Sequence, residues 1–338
     1  MKRIVIRVLA VAAALAVGFV GTVWIDVHRA PADNAGEVVR VTVPAGQPFA
    51  LLVHRLQGRG LIRSARVLRL YAAATRADRH IHTGTFEFTV GERPVDILRR
   101  LVEGDILRVS VTVPEGYAMW EIAGSFRAAA IDSVDMLAAI RNPAERQRRE
   151  IRAPSLEGYL FPDTYQVAWG ATAGEVVEQM LARMDRVFDA ELIQLLSERE
   201  MTPHEVLTLA SIIEAEARVA SERPVISAVY HNRLARGMRL EADPTVAYAM
   251  DGYRGRLLFR DLEIDSPYNT YRNMGLPPGP ICSPGEASIR AAVSPADDVD
   301  ALYFVARGDG SHVFSRSLRE HRQAVEAARR ERRAQANG

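Results

Sequence analysis

Glu214 stands near the end of the most clearly marked helix in the sequence. Thr202-Pro203-His204-Glu205 reads as a capping box with proline at the first helical position. The apolar run that follows, residues 206–217, predicts a helix. Helical spacing groups Leu207, Ala210, Glu214 and Ala217 on one side and turns Glu216 about 200° away. A carboxyl group pressed toward an apolar wall resists ionisation and can act as a general acid near neutral pH. The same position also suits a boundary glutamate that reaches water or pairs with an arginine, and this helix alone does not choose between them.

Polar and aromatic residues cluster further along. Ser221-Glu222-Arg223-Pro224 predicts the capped start of a second helix, which ends near Asn232 with Gly237 as its stop. Residues 240–245 then contain Asp243 and Thr245, and residues 266–271 contain Tyr268, Asn269, Thr270 and Tyr271. Gly275-Leu276-Pro277-Pro278-Gly279-Pro280-Ile281 reads as a rigid loop. Amides, hydroxyls and flat aromatic faces are what a sugar-binding groove needs, because each sugar has polar edges and an apolar face. Taken singly, each of these residues equally suits a role in structuring a loop.

Composition removes several chemistries. The only lysine is Lys2, which excludes a P-loop and a Schiff-base lysine from the rest of the chain. Cys282 is alone, so no intrachain disulfide or cysteine-based metal cluster is possible, and beside Pro280 and Pro284 it reads as a packed small residue. No HExxH or comparable ligand set is present, so neither a metal nor another cofactor is expected. The net charge of +1 carries no nucleic-acid-binding footprint.

These residues need a scaffold, which the pattern makes α+β. Residues 1–26 read as a short cytoplasmic N-terminus and a membrane-spanning helix. Val8 to Ile25 carries no charge, while Lys2, Arg3 and Arg7 precede it, which places the N-terminus inside and the remainder outside. A cleaved signal peptide is the competing reading, with Ala14-Leu15-Ala16 as its site, but apolar residues continue through Trp24. Residues 27–37 read as a linker. Val41-Thr42-Val43-Pro44-Ala45-Gly46 is echoed by Val111-Thr112-Val113-Pro114-Glu115-Gly116, each a strand, a turn with glycine and then a helical run. Residues 38–150 therefore form a small α+β region with a connecting helix, and the Arg-rich stretch at 141–150 marks a boundary. Residues 151–330 form a mainly helical α+β domain with a strand pair near 301–314, and 331–338 a charged tail.

With these motifs in order, the sequence closely resembles the MltG (YceG-like) family of endolytic murein transglycosylases. The resemblance lies in Leu156-Glu157-Gly158-Tyr159-Leu160-Phe161-Pro162-Asp163-Thr164-Tyr165, in Leu209-Ala210-Ser211-Ile212-Ile213-Glu214, and in Asn232-Arg233-Leu234 through Asp243-Pro244-Thr245. Tyr268-Asn269-Thr270-Tyr271, Gly275-Leu276-Pro277-Pro278-Gly279 and Leu302-Tyr303-Phe304-Val305 continue it. It implies a membrane anchor, a LysM-like subdomain at 38–150, a catalytic domain at 151–330, and Glu214 as the catalytic glutamate. Ala215-Glu216 follows Glu214 where the family usually has Lys-Glu or similar, a mild departure. The implied reaction cleaves the β-1,4 bond after N-acetylmuramic acid without water and leaves 1,6-anhydro ends on nascent peptidoglycan strands. It also implies partnership with glycan-polymerising synthases at the bacterial cell membrane. Asn232, Tyr268, Asn269 and Thr270 become candidates for orienting substrate or Glu214, with Asp243, Thr245 and Tyr271 beside them in the same motifs. Glu157 is a further substrate-binding or loop-bracing candidate. Placed across a groove from Glu214 with room for water, it would instead favour a hydrolytic muramidase. A non-catalytic glycan-binding or scaffold protein of the envelope remains the alternative from another class.

Overall fold

The computed structural model describes residues 2–31, 36–252, 255 and 257–336. Residues 32–35 of the expected linker and 337–338 of the tail lie outside these. The chain forms two compact units, Met1–Val109 with Gln166–Ala171, and Ser110–Tyr165 with Thr172–Gly338.

The first unit begins with helix α1 (Lys2–His28), long and apolar enough to cross a membrane; its most apolar stretch has no residue buried in the protein, while Val27 near its end joins the first core. At 1.5 Å per residue it spans about 40 Å. Strand β1 (Val38–Val43) follows, then α2 (Phe49–Gly58), α3 (Ala65–Thr75), β2 (Gly84–Thr89) and α4 (Pro94–Glu103). Antiparallel β1 and β2 register Val38 with Thr89 and Val43 with Gly84. Val39, Val41 and Val43 alternate inward onto Leu52, Leu56, Leu68, Phe86, Phe88, Ile97 and Leu101, one continuous core. Leu51 is 57% exposed, and Leu52 and Leu56 take the core face of this helix.

The chain passes between units within β3 (Arg108–Thr112) and returns within β4 (Thr164–Ala168), its hydrogen-bonded neighbour. The second unit contains α5 (Met119–Ser125), α6 (Ser133–Ile140), α7 (Pro143–Arg148), α8 (Ala173–Val187) and α9 (Ala190–Glu198). The Arg-rich stretch, where the sequence suggested a boundary, lies inside this unit. It forms α7, and Arg149 pairs with Glu145, Glu178 and Asp185. The apolar stripe over 172–196 divides into α8 and α9 because Asp189 caps the second helix by accepting from the Leu192 amide at 2.8 Å.

Next come α10 (Pro203–Glu216), α11 (Arg223–Ala235), α12 (Asp243–Ala249), α13 (Glu286–Val293), β5 (Tyr303–Ala306), β6 (His312–Ser315) and α14 (Leu318–Ala336). The expected capping box is present on α10, with Thr202 Oγ1 accepting from Glu205 N at 3.2 Å and Glu205 accepting from Thr202 N at 2.8 Å. Ser221 does not cap α11; a short 3-10 turn over Ala220–Glu222 leads into it. The final helix continues to Ala336, past the expected end near residue 330, carried by Ala, Arg, Glu and Gln. Strands β5 and β6 pair antiparallel, Tyr303 opposite Ser315 and Ala306 opposite His312.

Residues 206–213 of α10 are all buried, so this helix is the axis of the second core. Arg233 on α11 ties that core to its covering loops. With its side chain only 8% exposed, it donates to the carbonyls of Leu302 (2.6 Å), Arg239 (3.0 Å) and Leu240 (2.9 Å) and to Glu241 (3.0 Å). Its guanidinium also lies 5.0 Å from the centre of the Tyr303 ring. Arg233→Ala strands these buried acceptors, and a destabilisation of about 3 kcal/mol is expected in denaturant unfolding. A midpoint within error of the native chain would contradict this role.

Candidate functional site

Helix α10 carries Glu214 out of the core at its last turn. The side chain is 8% exposed. Its Oε1 accepts from Arg223 at 3.3 Å, and its Oε2 accepts from the Gly285 amide at 3.1 Å and from the Ser288 hydroxyl at 2.7 Å. Ser288 Oγ in turn accepts from Arg223 Nε at 2.9 Å. Arg223, Ser288 and Glu214 thus close a ring. The serine hydroxyl is an acceptor on one side and a donor on the other, so its proton direction is set by the arginine, which can only donate. The sequence led us to expect an apolar wall beside Glu214. The structure instead surrounds its carboxyl with donors from the start of α11 and the N-terminal turn of α13, where backbone amides favour an anionic partner.

The loop leading into α13 is pinned to α10. Ser211 Oγ accepts from Ile281 N at 3.0 Å and donates to Thr208 O at 2.8 Å. The Cys282 thiol donates to Ser211 O at 3.3 Å. Burial is the first cause that pushes this thiol well above its ordinary range, with Glu157 and Glu214 adding to it. Cys282 is accordingly a packed, protonated residue.

Glu157 is 2% exposed, so it does not stand open across a groove from Glu214. Its Oε2 accepts from Met119 N at 3.0 Å and from the Tyr248 hydroxyl at 3.4 Å, while its Oε1 is buried with no hydrogen-bond partner among the described residues. Tyr248 packs between Trp120 and Tyr268, with ring centres 5.4 and 4.9 Å away. Glu157 and Tyr268 therefore come together, in an aromatic cluster. Burial raises the Glu157 pKa from 4.5 to about 7, against the lowering effect of its Met119 and Tyr248 hydrogen bonds. Between those two pH values the folded chain holds a proton that the unfolded chain has released. Stability contributed by this proton is complete below about 4.5 and is lost as pH rises through about 7, on the order of 3 kcal/mol. Glu157→Gln should remove that slope, leaving the variant more stable than the native chain at pH 8 and close to it at pH 4.5. Urea melts at the two pH values measure it, and equal differences at both would refute it.

The remaining candidates are distributed. Asn269 and Thr270 are fully buried, as is Thr245. Asn269 Nδ2 donates to the carbonyls of Leu262 and Ile264, each at 2.9 Å, and Thr270 Oγ1 lies 2.9 Å from Thr245 Oγ1 and accepts from Ala242 N at 3.0 Å. Their polar atoms brace the loop that carries Tyr268. Asn232 Nδ2 donates to Val299 O at 2.8 Å and Ala301 O at 3.1 Å, fastening α11 to the chain before β5. Asp243 accepts from the Tyr271 hydroxyl at 2.6 Å, and both line a separate pocket of about 460 Å³ with Glu216, Arg233 and His321. Arg223, Gly285 and Ser288, which hold Glu214, were not singled out from sequence. Their nearest signal was the turn Pro284-Gly285 ahead of a helical run. Among the described residues, no group of three or more His, Cys, Asp or Glu side chains is placed to hold a metal ion.

A carboxyl held between two helix starts at the end of a buried helix defines the site, and residues 41–327 match the YceG-like family, to which this chain belongs. It is 32% identical to a Bacillus subtilis protein named endolytic murein transglycosylase, over 85% of this chain and 84% of that one. It is 27% identical to a Streptococcus pneumoniae protein of the same name, over 95% of this chain and 64% of the longer relative. A solved YceG-like protein from Listeria monocytogenes superposes with a TM-score of 0.59 at 32% identity, covering 86% of this chain and 99% of that structure.

Proposed function

We propose that this chain is a membrane-anchored endolytic murein transglycosylase with Glu214 as its single acid/base. The observation that carries the reading is the fixed placement of one carboxyl, at the end of a buried helix, by Arg223, Ser288 and Gly285. Relatives matching most of the chain carry the same name. In the reaction, the Glu214 carboxyl proton passes to the glycosidic oxygen as the bond from C1 of N-acetylmuramic acid breaks. The sugar's own C6 hydroxyl oxygen then bonds to C1, and its proton returns to Glu214. No water is consumed, and the intramolecular nucleophile gains effective molarity, so one carboxyl can serve both steps.

The apolar helix α1 supports an anchor, with Lys2, Arg3 and Arg7 on the cytoplasmic side and the site outside. That topology would put the site beside newly made strands and the synthases that polymerise them. Digestion of purified murein tests the reading. New ends one water lighter than reducing ends are expected from the native chain, and these should be nearly absent with Glu214→Gln. Ordinary reducing ends would make the enzyme a muramidase, and no new ends at all would leave a scaffold.

A further inference from the structure

Glu115 has no part in the reaction as written, yet it lies beside the group that does. It occupies the turn Pro114-Glu115-Gly116, whose counterpart in the other copy of the strand-turn-helix element is Pro44-Ala45-Gly46. Both turns rely on a glycine at positive φ, +73° at Gly46 and +78° at Gly116, and the first forms with alanine in the middle. The turn therefore does not require the carboxyl. The turn is docked onto the loop before α13: Gly116 N donates to Ser283 O at 2.8 Å, and Ser283 N donates to Tyr117 O at 2.8 Å.

This docking lays the Glu115 carboxyl over Gly285. A Cβ on Gly285 would stand 2.0 Å from Glu115 Oε1 and 2.2 Å from its carboxyl carbon. The amide of that same glycine holds Glu214 Oε2 at 3.1 Å. Two carboxyls therefore flank one residue, and Arg223, which donates to Glu214 at 3.3 Å, acts on Glu115 through its charge. Burial of the carboxyl end, followed by the charge of Glu214, raises the Glu115 pKa, and Arg223 opposes them. The Cys282 thiol also feels the charge of Glu214, and burial keeps it protonated.

We propose that Glu115 is a positioning residue that sets its carboxyl beside that of Glu214 across Gly285, so that the site retains the proton that Glu214 delivers. Arg223 and the two hydrogen-bond donors orient Glu214. Glu115 places a second carboxyl beside it, and neighbouring carboxyls release their protons as a coupled pair. This role rests on the transglycosylase reading above.

The test is the pH profile of kcat/KM on purified glycan strands, using the full chain. In Glu115→Gln the alkaline limb should move about one pH unit lower, with about a tenfold loss at pH 8 and activity within about twofold of native at pH 5. Gly285→Ala should move the limb the same way. Gly285 has φ −74° and ψ 165°, open to alanine, and the three atoms nearest the new Cβ all belong to the displaceable carboxyl end of Glu115. Should Glu115→Gln fail to fold, as judged by its thermal melt, the Gly285→Ala profile decides alone. An unmoved limb overturns the proposal, as does a loss equal at every pH. Those results with a native chain that still makes anhydro ends overturn only the pairing, whereas a native chain that makes none overturns the function itself.

Discussion

Glu214→Gln is expected to lower the rate of anhydro-end formation about a thousandfold while the chain remains folded, because general acid/base catalysis by one group contributes about 10² to 10⁴ and in the proposed reaction one group performs both transfers. Glutamine nearly preserves volume but not the pattern of donors. Oε2 of Glu214 takes two donors, Gly285 N and Ser288 Oγ, and Oε1 takes Arg223. The amide oxygen can replace only one of these atoms. With it at the two-donor position, the amide nitrogen meets Arg223, donor against donor. A stability cost of about 1 kcal/mol should accompany the catalytic loss. Ser288→Ala separates positioning from chemistry, because it leaves the carboxyl and its arginine but opens the ring that fixes their geometry. About a tenfold loss is expected there, and a Glu214→Gln rate no lower than that of Ser288→Ala would remove Glu214 from the reaction centre.

The contrast between α10 and its surroundings explains how far the sequence could be read. Thr202, Pro203 and Glu205 act on their own helix start, and the spacing of Leu207, Ala210 and Glu214 is a property of one turn to the next. Local rules therefore suffice to put Glu214 at the end of a buried helix. Its partners arrive from elsewhere in the chain. Ser288 and Gly285 reach it because the Ser211 hydroxyl holds Ile281, and Glu115 reaches Gly285 because Gly116 and Tyr117 bond to Ser283. No periodicity carries that information. The polar loop residues illustrate the complementary difficulty. Asn269, Thr245 and Thr270 have side chains suited to sugars, and the same donors and acceptors suit a loop that must satisfy its own backbone. Burial and partners distinguish the two uses, and the structure gives these three residues internal partners. The proposed boundary at 141–150 rested on a run of arginines, which α7 instead pairs with carboxylates on its own helix and on α8.

The same pinned loop makes Gly158 the most demanding glycine near the site. Gly158→Ala is expected to destabilise the second unit by about 3 kcal/mol, from two separate sources. Gly158 has φ +77°, a left-handed conformation that costs an alanine about 1 kcal/mol. Its added Cβ would also stand 2.2 Å from Pro280 Cβ, 2.5 Å from Pro280 Cγ and 3.2 Å from the Cys282 carbonyl oxygen. A proline ring cannot rotate out of the way. Its backbone cannot simply retreat either, since Ile281 and Cys282 are bonded to Ser211 and Ser283 is bonded to Tyr117. Any movement that admits the methyl is passed along this loop toward Gly285, so activity should fall together with stability. Gly237→Ala is the control for backbone strain alone, because Gly237 has φ +63° and nothing within 4 Å of its Cβ position. Thermal melts should place Gly158→Ala roughly 6–10 °C below the native chain, with Gly237→Ala lowered by about a third as much. Equal shifts in the two variants would mean that the Pro280 contact yields freely, and that the loop holding Gly285 against Glu214 is not rigid.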